Sequence, residues 1–226
     1  MNDKYLIFSL ITISAFIVLA LVVSPKSNLK SNSLINTDNR LLLRINNSHF
    51  QVLNQIMIYL SWYGREVFWM LAILFLFVFG KQTGKKTAFV MIISMVVLVP
   101  IGIITKETIE RPRPVIPETD FLITADSEYA FPSGHALIVS AGATVALVLI
   151  RGSPISLLVA LLLLSEAALV CFSRVYVGSH YPLDVLGGIL LGVGVSFAIL
   201  WKEKELEAQY FHIVRIIKNA KTKGSL

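Results

Sequence analysis

Charge is scarce in this chain. Only 15% of its 226 residues are Asp, Glu, Lys or Arg, against about 25% in an average soluble domain. More than half, 55%, are hydrophobic, and the mean hydropathy is +0.73. That shortage argues against a soluble globular fold. Cysteine is nearly absent: Cys171 stands alone inside an apolar block, which excludes an internal disulfide and leaves it to pack as a small hydrophobe. There is no internal repeat and no low-complexity tract. No small-residue cleavage site follows the apolar run from Tyr5 to Val23, so that run reads as a retained spanning helix rather than a removable leader. The net charge is +6, but the Lys and Arg residues sit in the short segments between apolar blocks. They read as membrane-flanking charge, and no nucleic-acid partner is expected.

What is abundant is long apolar sequence. Six blocks, at 5–24, 66–80, 87–105, 134–150, 154–172 and 183–201, approach the roughly 20 residues that cross a bilayer; the second is short and is expected to begin inside the preceding segment. Lipid satisfies no backbone hydrogen bond, so each is expected to be helical. Between the first two, Leu42, Ile45, His49, Leu53, Ile56 and Leu60 recur at helical spacing among Asn39, Arg40, Asn46, Asn47 and Asn54, the pattern of a helix lying at the interface. The expected fold is all-α: a six-transmembrane-helix bundle with an interfacial helix between the first two spans. Its expected parts are residues 1–60 (first span and interfacial segment), 61–201 (membrane core) and 202–226 (a basic tail).

Orientation follows from the basic residues. On a six-helix path one side holds eleven, Lys4, Lys81, Lys85, Lys86, Arg151 and six in the tail; the other holds nine. Four of those nine, Lys106, Arg111, Arg113 and Arg174, belong to the cluster described next, so the positive-inside rule places both termini in the cytoplasm. The connections at 25–65, 106–133 and 173–182 then share the extracytoplasmic face of a multi-pass protein of the cell membrane.

Three polar clusters lie on that shared face: Lys106 with Arg113-Pro114; Pro132-Ser133-Gly134-His135; and Ser173-Arg174 followed by His180 and Asp184. Cations, two histidines and a Ser-Gly turn at helix ends supply what a highly charged oxyanion requires. His180 and Asp184 are four apart, so on a helix the carboxylate can accept the imidazole Nδ1–H and leave Nε2 free to attack. Lys106, Arg113, Arg174, the Ser133 hydroxyl and the Gly134 N–H can hold equatorial phosphate oxygens. His135 is the natural general acid, and later the base for water. Arg111-Pro112 offers a second match to the Arg-Pro pair, but the seven-residue step from Lys106 selects Arg113 and leaves Arg111 only the lesser alternative of an auxiliary phosphate contact. No metal or other cofactor is required. Glu166, deep in the fifth block, should point into the bundle.

The pattern K-x6-R-P, P-S-G-H, S-R-x5-H-x3-D, matched here at eleven positions, resembles the type 2 phosphatidic acid phosphatase superfamily over about residues 60–201. The resemblance implies a metal-independent phosphatase acting on a lipid phosphate or diphosphate through a phosphohistidine. His180 would be the nucleophile, Asp184 its orienting partner, His135 the acid and base, and the other motif residues phosphate ligands. Among substrates a polyprenyl diphosphate is favoured over phosphatidate or phosphatidylglycerol phosphate. A phosphotransferase would use the same residues, whereas an anion-binding transporter or scaffold would leave the His180–Asp184 spacing unexplained. The partners implied are the lipid substrate and the bilayer; the sequence is silent on oligomeric state.

Overall fold

In hydrocarbon a chain must satisfy its peptide groups within itself, and the apolar blocks all form helices. The computed structural model describes residues 3–115, 122–123, 128–206 and 208–209, and no β-strand occurs among the described residues. In chain order they form α1 (Asp3–Val23), α2 (Asn32–Asn46), α3 (Gln51–Tyr63), α4 (Trp69–Phe79), α5 (Lys81–Ile109), α6 (Gly134–Leu149), α7 (Pro154–Tyr176) and α8 (Pro182–Trp201). A π-helical segment, Gly64–Phe68, joins α3 to α4. Several starts are marked chemically. Ser31 and Ser153 accept first-turn N–H groups, and Pro154 and Pro182 stand where a missing donor costs nothing.

Five stretches are long and apolar enough to cross a membrane: Asp3–Val23, Gln51–Phe79, Lys81–Ile109, Pro154–Tyr176 and Pro182–Trp201. The all-helical membrane architecture agrees with the sequence reading. The block expected at 134–150 is α6, which has 16 residues and is therefore about 24 Å long, short of a hydrocarbon core of about 30 Å. It is also the most enclosed helix: from Ala136 to Ala146 every residue but Ile138 is buried. α8 lies between α1 and α6. Phe197 stacks on Tyr5 and Phe8 of α1, with ring centroids 5.8 and 5.4 Å away. Gly188 lets α8 press against α6, where a Cβ would stand 2.6 Å from the Ser133 carbonyl oxygen. The outer faces of α1, α5 and α7 stay apolar, with Val18, Val96 and Leu162 each 60–66% exposed, as lipid-facing helices require.

The interfacial segment differs from expectation. Residues 34–60 are not one helix but two, α2 and α3, broken after Asn46. The break has a physical cause: Asn46 is buried, and its Nδ2 donates to the carbonyls of Val175 and Tyr176, each at 3.1 Å. This pins the chain to the end of α7. The second span then starts at Gln51, inside the preceding segment as the shortness of the 66–80 block leads one to expect, and runs 29 residues to Phe79. Position 60, taken from sequence as a boundary, lies inside α3. Most of the tail at 202–226 lies outside the described residues.

The C-terminal ends of α1, α5 and α7 and the starts of α6 and α8 gather at one end of the bundle. There Ser24 Oγ donates to Ile109 O at 3.5 Å and Lys26 pairs with Glu110. At the other end Lys86 pairs with Glu203 at 2.8 Å.

Candidate active site

The gathered end is held by one buried guanidinium. Glu110 closes α5 in the left-handed conformation, with φ of 54°, and turns Arg111 into the protein. Arg111 Nη1 donates to Asp184 Oδ1 at 2.5 Å and Nη2 to Asp38 Oδ2 at 2.6 Å. Its Cζ lies 4.3 Å from the centre of the Tyr181 ring. Asp38 Oδ1 in turn accepts the Leu183 N–H, and Asp184 Oδ2 the Tyr181 N–H. Burial raises the Asp38 carboxyl above its usual range against the opposing pull of Arg111. Arg111 is thus a strut between α2 and α8, and the lesser alternative of an auxiliary phosphate contact is not realised.

The loop after α7 presents His180. Its backbone N–H and that of Ser179 both donate to Arg174 O at 3.1 Å. The imidazole is buried. Arg113 Nη1 lies 2.9 Å from Nε2 and donates to Ser179 O at 2.8 Å. A guanidinium can only donate, so Nε2 is the acceptor and the ring proton of the neutral form is on Nδ1. Burial first, then Arg113, Arg174 and Lys106, push the imidazole well below its usual value, so it is neutral at neutral pH. Asp184 Oδ2 lies 3.6 Å from Nδ1, beyond a hydrogen bond. The direct Nδ1–Asp184 bond expected from spacing is therefore an electrostatic contact: the carboxylate is already engaged by Arg111 and the Tyr181 N–H.

Opposite His180 is the start of α6. His135 Nε2 lies 3.0 Å from Ser61 O; because a carbonyl only accepts, Nε2 carries the proton and Nδ1 is left as the acceptor. Arg174 donates to the Ser61 hydroxyl, so the end of α3 braces both groups. Ser133 is fully buried, its N–H donates to Asp184 O at 2.9 Å, and its Oγ has no hydrogen-bond partner among the described residues. The N–H groups of the first α6 turn face the same place, a ready anion site.

These elements enclose a cavity of about 360 Å³ lined by Lys106, Arg113, Gly134, His135 and His180, together with Arg65 and Glu128. Ser133, Arg174 and Asp184 stand behind that lining. Lys106 Nζ donates to Glu128 Oε2 at 2.5 Å, and Arg113 Nε to Glu128 O at 2.9 Å. Lys106, then Arg113 and Arg65, hold the Glu128 carboxyl below its usual range. Lys106 therefore already grips one carboxylate, and Arg113 the backbone carbonyl of the same residue. Against the cavity lies an apolar groove of about 680 Å³ between α4, α5 and α6; Arg65, Lys106, Glu128 and Gly134 line both. Glu166 does point inward, accepting the Trp69 indole N–H at 2.7 Å. No cluster of His, Cys, Asp or Glu among the described residues is arranged to hold a metal.

Sequence reasoning missed Asp38, Ser61, Arg65 and Glu128. Asp38 carried a signal, as the lone carboxylate in the amphipathic stretch 34–60. Arg65 carried only its place at the edge of an apolar block, which flanking charge shares, and Ser61 and Glu128 carried none, because tertiary contacts alone bring them in.

Comparison with known proteins accords with this geometry. The sequence model of the PAP2 superfamily matches residues 83–207. An undecaprenyl-diphosphatase of Sulfolobus acidocaldarius is 41% identical over 155 residues, covering 68% of this chain and 72% of that protein. An undecaprenyl-diphosphatase of Bacillus subtilis is 32% identical over 153 residues, covering 66% and 74%. The crystal structure of a transmembrane PAP2-type phosphatidylglycerolphosphate phosphatase from Bacillus subtilis superposes with a TM-score of 0.70 at 23% identity, over 87% of this chain and 96% of that one. With its three polar clusters folded around one cavity and more than half its length matched, this chain belongs to the PAP2 superfamily.

Proposed function

We propose that the protein is a membrane phosphatase that hydrolyses a polyprenyl diphosphate to the monophosphate with His180 as nucleophile. The observation that carries the reading is the joining of the two spaces: a cationic cavity holding two histidines opens directly into an apolar groove. An amphiphile can place its headgroup in one and its chain in the other. The two relatives named as undecaprenyl-diphosphatases favour the diphosphate over a monoester.

The reaction follows from the groups in place. The terminal phosphate displaces the Glu128 carboxylate from Lys106 and draws Arg113 off the His180 lone pair onto its own oxygens. Ser133 Oγ and the first N–H groups of α6 take the remaining oxygens, and Arg174 adds positive charge from behind. Nε2 of His180 attacks phosphorus as the P–O bond to the lipid phosphate breaks. Asp184, 3.6 Å from Nδ1, favours the cationic ring that forms. The negative charge of the bound diphosphate lets His135 take up a proton at Nδ1, its acceptor nitrogen, and His135 gives that proton to the leaving oxygen. Water then attacks the phosphohistidine, His135 takes its proton back, and inorganic phosphate leaves.

α6 serves as the sixth span, buried among the others, and residues 61–201 form the catalytic core. The charge count supports an extracytoplasmic site with both termini cytoplasmic. The test is phosphate release by detergent-purified protein from polyprenyl diphosphate, phosphatidate and phosphatidylglycerol phosphate, with EDTA present and His180→Ala alongside. Release from the diphosphate that withstands EDTA and vanishes in the variant is expected; equal release by the variant refutes the histidine mechanism.

A further inference from the structure

Arg65 belongs to none of the three sequence clusters, yet it lines the cationic cavity. The π-helical segment puts it there. A π turn inserts one extra residue into a helix and swings its side chains out of register with the flanking turns. Gly64 begins the turn pressed against α7, where a Cβ would stand 2.3 Å from Val170 Cγ2. Arg65 then reaches over the start of α6. Its Nη1 is 3.5 Å from His135 Nδ1, and a Cβ on Gly134 would meet the same nitrogen at 3.4 Å. Glu66, its neighbour, accepts from Arg65 and stands on the groove side.

We propose that Arg65 holds the phosphate that remains on the lipid, and so determines preference for a diphosphate over a monoester. The inference rests on the phosphatase reading above. His180 and Arg113 line only the cavity, whereas two cations, Lys106 and Arg65, line both cavity and groove; with Lys106 on the terminal phosphate, Arg65 is left for the inner one. A diphosphate with its terminal phosphorus at His180 and its chain in the groove has its inner phosphate at that junction. His135, the proton donor to the bridging oxygen, is beside it. As the P–O bond breaks, the departing lipid monophosphate gains charge on oxygens that Arg65 can bind. A monoester releases an alcohol, which has no such oxygens. Arg65 therefore helps one substrate class selectively.

The experiment uses full-length protein in detergent, with farnesyl diphosphate and farnesyl monophosphate as probes, and compares wild type with Arg65→Gln and Arg65→Lys. For Arg65→Gln, kcat/KM on the diphosphate is expected to fall about 10- to 100-fold more than on the monophosphate. Arg65→Lys, keeping the charge without the fork, should recover part of that ratio. Because both substrates are assayed on one preparation, a misfolded fraction cancels from the ratio. An equal loss on the two substrates makes Arg65 a positioning residue for His135 and overturns this inference alone. A wild type that releases phosphate from neither probe overturns the phosphatase reading with it.

Discussion

Arg111 joins two buried carboxylates from distant parts of the chain, and the cost of removing it is lopsided. Replacing one partner of a buried ion pair leaves the others uncompensated, which costs about 3–5 kcal/mol. Arg111→Met should therefore lower the detergent-solubilised unfolding temperature sharply, whereas Asp38→Asn, which preserves the shape and the Leu183 N–H bond, should lower it less. Thermal unfolding of the two variants decides. Glu128 calls for the opposite outcome. Its carboxylate competes with phosphate for Lys106 across a half-open pair, so Glu128→Gln should lower KM about two- to fivefold, read from initial rates. The buried His180 gives a pH prediction. Its value lies below the ordinary 6.5, so the imidazole stays neutral and nucleophilic as pH falls through 6.5. The acid limb of kcat/KM that reports His180 should lie below pH 6.5, and a limb above that value contradicts the assigned environment.

At the scale of elements, the π-helical turn is the part of the design that a substitution can test. Gly64→Ala would thrust a methyl into Val170, and overpacking of this kind costs about 1–3 kcal/mol. Phosphate release should drop as Arg65 is displaced, and Gly64→Ala with Val170→Ala should restore much of it. The turn also shows where sequence reasoning stops. Lys106, Arg113, His135 and His180 were legible because each lies at the edge of an apolar block, where a change of period marks the membrane surface. Arg65 lies at such an edge too, yet in sequence it is indistinguishable from membrane-flanking charge, since nothing in a one-dimensional pattern separates a π turn from an α turn. The break after Asn46 was hidden for a similar reason: apolar spacing continues through it, and only the hydrogen bonds of Asn46 to the end of α7 stop the helix. Arg111 and Arg113 differ by two residues, so spacing from Lys106 could choose one for phosphate but could not show that the other braces Asp38 and Asp184.

For the whole molecule, both ends of the bundle are chemically distinct, which makes its orientation measurable. Cys171 is buried and adds little labelling background. A cysteine replacing exposed Lys30, at the end that carries the site, should react with an impermeant maleimide in intact cells; one replacing Gln82, at the opposite end, should react only after lysis. The reverse pattern would put the site in the cytoplasm.

The groove beside the catalytic cavity has one wall built from residues on the outside of the bundle: Met70, Val99 and Ile103, each more than half exposed, belong to its lining. It is a sideways slot rather than a closed tunnel, so a lipid can slide in along the plane of the bilayer without first being extracted. Such a slot measures only the part of the lipid chain nearest the headgroup and leaves the rest among its neighbours. Two carriers that differ only in the length of that far end should therefore be handled alike, and encounter should be governed by their density per unit area of membrane rather than by concentration in bulk water.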